Sequence, residues 1–205
     1  MREASAQARL APLTALAGFA LGGAALGLGI AEGAIAFWGF GAACLLQVPP
    51  VLSLRARIRD GLGNRGLERE RLTLRTVGHL LSLLALGMAL ASVLALQGAC
   101  DSIATPALQG VAVLSLGSLS PLWAAKRRLS GFHPTLDLDA ARTRTWLELA
   151  ALLLLGSVLG RWFPWADAVT GLGLALRIFI EGRSLAKAAT LKVACGGCGS
   201  GSCAS

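Results

Sequence analysis

Three cysteines crowd the last eleven residues, in Ala194-Cys195-Gly-Gly-Cys198-Gly-Ser-Gly-Ser-Cys203-Ala-Ser205. A Cys-x-x-Cys pair lets two thiolates reach one ion, and the supple Gly/Ser spacer lets a third close on it. Zn²⁺, Cu⁺ or a metalloid suits such sulfur, and hard ions do not. Three ligands without a fourth speak against a closed structural zinc site. The same residues also admit two plainer readings, a tail of no binding function or a redox or assembly contact. Three further reactive groups, Cys44, His79 and Glu148, stand in or beside apolar runs. An ionisable side chain inside such a run is by default a candidate for metal or proton binding. Thiol, imidazole and carboxylate together would suit a soft or borderline ion. Against this, a buried cysteine commonly behaves as a small apolar residue, and Glu148 can reach back one helical turn to Arg144. His79, next to a basic surface, can serve as an interfacial hydrogen-bonder, and Asp167 can cap the helix it heads. No Walker loop, nucleotide fingerprint or Ser/His/Asp set is present, so the sequence does not read as an enzyme.

The elements that must position these groups are apolar helices. Of the 205 residues, 55% are hydrophobic and only 15% charged, whereas a soluble domain carries roughly 25% charge. Mean hydropathy is +0.66. Crossing about 30 Å of hydrocarbon takes about 20 residues of helix, because every backbone group must be satisfied internally. Six stretches qualify: 11–31, 34–54, 76–98, 107–125, 145–163 and 165–181. The fold class expected is therefore all-α, a polytopic membrane protein of six transmembrane helices. A short N-terminus (1–10) precedes the membrane domain (11–181), and a cysteine-bearing tail (182–205) follows it. Pro49-Pro50 should kink or shorten the second span. Arg161-Trp-Phe-Pro-Trp165 reads as a tight turn between the last two spans, with aromatics at interface depth. Gly18 and Gly22, Gly23 and Gly27, and Gly29 and Gly33 give the first span and its exit a small-xxx-small pattern suited to close helix contact.

The net charge of +8 does not read as a nucleic-acid surface, since the basic residues sit in short clusters between apolar runs. With both termini placed in the cytoplasm, eighteen of the nineteen lysines and arginines fall on that side, and Arg161 is the exception. This is the asymmetry the positive-inside rule demands of a multi-pass protein of the inner (plasma) membrane. A helix count wrong by one would scramble it. On the cytoplasmic side the tail cysteines would be reduced thiols.

The order of motifs along the chain resembles the cation diffusion facilitator family, in its transmembrane-only bacterial members. The residues that carry the resemblance are Gly33-Ala-Ile-Ala-Phe-Trp-Gly39-Phe40-Gly41, Arg71-Leu-Thr-Leu-Arg75-Thr-Val-Gly78, Ser120-Pro121-Leu-Trp-Ala-Ala-Lys126-Arg127-Arg128-Leu129, Thr145-Trp146-Leu147, Trp165-Ala166-Asp167 and Glu181-Gly182. The resemblance covers most of residues 14–205. It implies a six-helix bundle, usually dimeric, that exchanges divalent cations such as Zn²⁺ for protons, here without the cytoplasmic metal-binding domain of most members. It also implies two carboxylates one turn apart in the second helix, sharing a face that can grip a cation. In this chain those positions are Ala43 and Gln47, and the partner aspartate of the fifth helix aligns with Ala141, with Asp137 and Asp139 off by one register. A bare cation in hydrocarbon needs anionic ligands, so the standard site looks dismantled. Cys44, Gln47, Glu148 and His79 are what remains for an intramembrane site. Two functions follow. One is transport of Zn²⁺ or a thiophilic metal through altered ligands. The other is a non-transporting accessory subunit, as a homodimer or within a larger membrane complex.

Overall fold

The computed structural model describes residues 2–59, 67–98, 105–129 and 134–190. Every element in these segments is an α-helix: α1 (Arg2–Ala31), α2 (Ile35–Leu46), α3 (Val48–Arg59), α4 (Leu67–Gln97), α5 (Pro106–Leu129), α6 (Pro134–Leu159) and α7 (Ala166–Thr190). Four segments are long and apolar enough to cross a membrane: Pro12–Ala31, Ile35–Ser53, Glu68–Gln97 and Pro106–Arg128. The chain thus carries the elements of a membrane protein. α6 and α7 are long helices too, but their charged residues keep them outside that group.

The helices outrun the apolar stretches that announce them. α4 begins at Leu67, not near 76, and α6 begins at Pro134, not near 145. The arginine-rich segments expected as inner loops are therefore largely helical extensions, because backbone hydrogen bonding continues where hydropathy stops. The second stretch is broken, as its prolines foretold, but the break falls at Gln47 (φ −90°, ψ −6°), just ahead of them. Pro49 and Pro50 bring no N–H, and their rings would collide with the carbonyls of Leu45 and Leu46 in a continued helix. Gln47 N–H is shared between the Ala43 and Cys44 carbonyls (3.2 and 3.3 Å), and α3 restarts at Val48.

α1, α2/α3, α5 and α6 pack as one group. α4 and α7 form the most extensive helix pair and join that group through α2, α3 and α6. The α4–α7 pair is antiparallel, since Gly78 near the start of α4 lies against Gly182 near the end of α7, while Gly171 lies against Ser92. The core between the two groups contains Phe40, Leu81, Met88, Leu149, Leu153, Leu174 and Ile178. Outward, Leu83, Leu86 and Leu90 of α4 are 65, 59 and 63% exposed, a row that water would penalise and lipid accepts.

Glycines set the tightest approaches, though only part of the small-residue pattern of α1 is used. A Cβ at Gly22 would come within 3.0 Å of the Gly41 carbonyl oxygen of α2, whereas Gly23 and Gly27 have nothing within 4 Å. Gly33 turns the chain from α1 into α2 with φ +67°, a left-handed conformation that favours glycine. Between α6 and α7, Trp162 N–H and Phe163 N–H both donate to the Leu159 carbonyl (3.0 Å each). The Phe163 and Trp165 rings lie 5.2 Å apart between centroids, tilted by 37°. The tight aromatic turn read from the sequence is there.

Candidate functional site

The position where the resemblance would place a cation is defined by Ala43 and Gln47, both 1% exposed. Because α2 ends at Gln47, that side chain leaves the helix and reaches α6, where its Oε1 accepts a hydrogen bond from Trp146 Nε1. The indole is itself buried and is pressed against α1 at Gly18, where a Cβ would sit 3.2 Å from Trp146 Cη2. The site is therefore closed by a neutral donor–acceptor pair wedged among α1, α2 and α6. It offers no negative charge, and neither an indole N–H nor a buried methyl can replace the water around a divalent ion.

The other candidates lie apart. Cys44 is buried against α1, with its Cβ 3.0 Å from where a Gly22 side chain would begin. Glu148 bridges two helices: Arg144 Nε donates to its Oε1 at 3.0 Å, as the i−4 spacing suggested, and Arg177 of α7 donates from Nη2 and Nε to its Oε2 at 2.7 and 3.1 Å. With two guanidinium groups on one carboxylate, its charge is already matched. His79 stands exposed on α4 beside Arg75 and faces a groove shared with Arg183 of α7. Among the described residues, no group of three or more His, Cys, Asp or Glu is arranged to hold a metal ion. Cys195, Cys198 and Cys203 lie outside the described residues.

A buried polar and ionic cluster, which the sequence reading overlooked, ties α6 to α5 and to α7 near the end where α5 stops and α6 starts. Lys126 of α5 is 1% exposed and its Nζ lies 2.8 Å from Asp139 Oδ2. It also donates to Thr143 Oγ1 at 3.1 Å, and that hydroxyl donates to the Asp139 carbonyl at 3.0 Å. Arg142, one turn further along α6, is buried too. The negative charges of Asp139, Glu181 and Glu70 act on its guanidinium. Glu181 of α7 accepts from Thr145 Oγ1 at 3.3 Å. Ala141, which the resemblance aligned with the partner aspartate, is exposed, whereas Asp139, Arg142 and Thr143 face inward. The α6 residue that reaches the second helix is instead Trp146, five positions on. A hydrogen-bonding aromatic at the head of the fifth apolar stretch was the available signal for it.

At the opposite end, Asp167 caps a helix, but not its own. Its Oδ2 and Oδ1 accept from Ile35 N–H (2.8 Å) and Ala36 N–H (3.3 Å), so it closes the first turn of α2 from the head of α7. Two of the unpaired donors that begin any helix are thereby satisfied by a charge that also suits the helix dipole. Gln109 of α5 donates to the Ser157 carbonyl (3.2 Å) and accepts from Arg161 (3.0 Å), tying the α6–α7 turn to α5. The small cavity beside Asp167, about 20 Å³ and bordered by Phe37, Ser157 and Thr170, has room for about one water.

No protein-family model matches the chain, and no curated protein matches it either.

Proposed function

We propose that this chain is a six-span protein of the inner (plasma) membrane, with both ends cytoplasmic, in which α6 and α7 are the fifth and sixth spans. In this reading it keeps a cation-transporter-like scaffold of the cation diffusion facilitator type but grips no cation within the membrane. It acts as a non-transporting subunit, as a homodimer or in a larger membrane complex. The observation that carries this reading is the Gln47–Trp146 hydrogen bond. A neutral pair fills the position where two carboxylates would have to stand, and Glu148, the nearest candidate acid on α6, is held by Arg144 and Arg177. The basic asymmetry of the sequence supports the orientation. The ion pairs of α6 and α7 explain how these two helices can sit in a bilayer despite their charges, since intramembrane ionisable groups pair with one another. The competing reading, proton-coupled transport of Zn²⁺ or a thiophilic metal through altered ligands, requires an intramembrane site of measurable affinity.

Equilibrium Zn²⁺ binding decides between them. The test uses full-length protein with Cys195, Cys198 and Cys203 changed to serine, so that the tail contributes nothing. The parent should bind no Zn²⁺ at micromolar concentration, while Ala43→Asp with Gln47→Glu should create a site. Micromolar affinity in the parent would contradict the proposal.

A further inference from the structure

α4 and α7 cross with their backbones in contact. A Cβ at Gly78 would lie 2.7 Å from the Gly182 carbonyl oxygen, and one at Gly182 would lie 2.7 Å from the Gly78 carbonyl oxygen. Beside this crossing lies a groove of about 420 Å³, bordered by Arg75, His79 and Ser82 of α4 and by Phe179, Arg183 and Lys187 of α7. The spacing explains the convergence. Residues 75, 79 and 82 share one face of α4, and 179, 183 and 187 share one face of α7. Among the described residues that border the groove, none is an acid. The guanidinium of Arg183 lies over the Phe179 ring at 5.8 Å, a cation–π contact that orients it at the groove.

The same two helices carry exposed apolar residues further along. Leu83, Leu86 and Leu90 are 65, 59 and 63% exposed, and Leu176 and Ile180 are 64 and 49% exposed. From Leu83 to Leu90 the helix rises about 10 Å, a large part of the length of an acyl chain. A ligand matching this surface is anionic at one end, apolar at the other, and positioned at the edge of the bilayer. We infer that the α4–α7 groove is a seat for an anionic phospholipid. Arg75, Arg183 and Lys187 hold its phosphodiester, and the leucine track carries its acyl chain. The volume lies in the ordinary range of ligand pockets, about 300–1,000 Å³, and basic pockets between transmembrane helices suit such headgroups. This inference requires α4 and α7 to lie in the bilayer and is independent of whether the chain moves cations.

The test is native mass spectrometry of the full-length protein, purified in a neutral maltoside detergent and titrated separately with phosphatidylglycerol, phosphatidylcholine and inorganic phosphate. Phosphatidylglycerol should be retained in preference to phosphatidylcholine. Arg75→Ala with Arg183→Ala should weaken its binding about fivefold per charge, on the order of 25-fold for the pair. Arg55→Ala with Arg128→Ala removes the same charge from exposed sites elsewhere and should leave binding unchanged. His79→Trp adds bulk at an exposed position bordering the groove and should also displace the lipid, which keeps the test decisive if the arginine variant fails to fold. Equal losses in both arginine pairs would mean a diffuse basic surface and overturn the inference. So would equal binding of phosphatidylcholine, or inorganic phosphate bound as tightly as the lipid.

Discussion

The Lys126–Asp139 pair offers the sharpest test of the packing where α5 stops and α6 starts. Both side chains are almost wholly buried, with 1 and 6% exposure, and 2.8 Å apart. Asp139 also faces the buried guanidinium of Arg142. The two partners are therefore unequal. Asp139→Ala removes an anion that acts on two buried cations. Stranding one partner of a buried pair costs about 3–5 kcal/mol, because an uncompensated charge remains. Lys126→Met leaves Asp139 beside Arg142, so the loss should be nearer that of an unmet buried hydrogen bond, about 1–3 kcal/mol. Lys126→Met with Asp139→Leu removes the pair together but still leaves the buried Arg142 without Asp139, so its loss should fall between those of the two single variants. Thermal or denaturant unfolding in detergent, followed by circular dichroism, gives all three values in one series. An Asp139→Ala loss no larger than that of Lys126→Met would refute the reasoning, because it would mean that Arg142 does not depend on Asp139.

Asp167→Ala should destabilise the chain by about 1 kcal/mol, the usual cost of losing a helix cap. The loss should localise to the start of α2, as faster amide exchange at Ile35 and Ala36, and unchanged exchange there would reject the cap. Single cysteines at Gly63 and Ser130 should be labelled from the cytoplasm and one at Ser102 from outside. A reversed pattern would overturn the proposed orientation. If the tail collects a thiophilic ion, the full-length chain under reducing conditions should bind about one Zn²⁺ or Cu⁺, and Cys195→Ser with Cys198→Ser should abolish that binding. No affinity in the parent would leave the tail without a metal role.

How much of this was legible in the sequence depends on whether neighbours along the chain or across the bundle decide it. The apolar stretches marked where the helices lie, since lipid-length hydrophobicity is a local property, and the Pro49-Pro50 break and the aromatic turn at 161–165 were equally local. The Arg144–Glu148 contact was readable for the same reason, being one turn of a single helix. Helix ends were not, because residues 134–144 are charged yet remain hydrogen-bonded in α6. Nor were the contacts between helices. Asp167 looks like the cap of its own helix until α7 is seen to begin beside α2. Gln47 looked like a lost ligand, and only the packing of α6 on α2 supplies Trp146 as its partner. Lys126 read as a topology signal in a basic cluster, yet its ammonium is turned inward to Asp139.

The central claim is that the scaffold grips no cation within the membrane, and Zn²⁺ flux into sealed proteoliposomes carrying the full-length protein and a trapped zinc-sensitive dye tests it most directly, with and without an imposed proton gradient. Uptake should be indistinguishable from that of protein-free vesicles under both conditions. Saturable Zn²⁺ uptake that follows the proton gradient and survives Cys→Ser replacement of the three tail cysteines would contradict it.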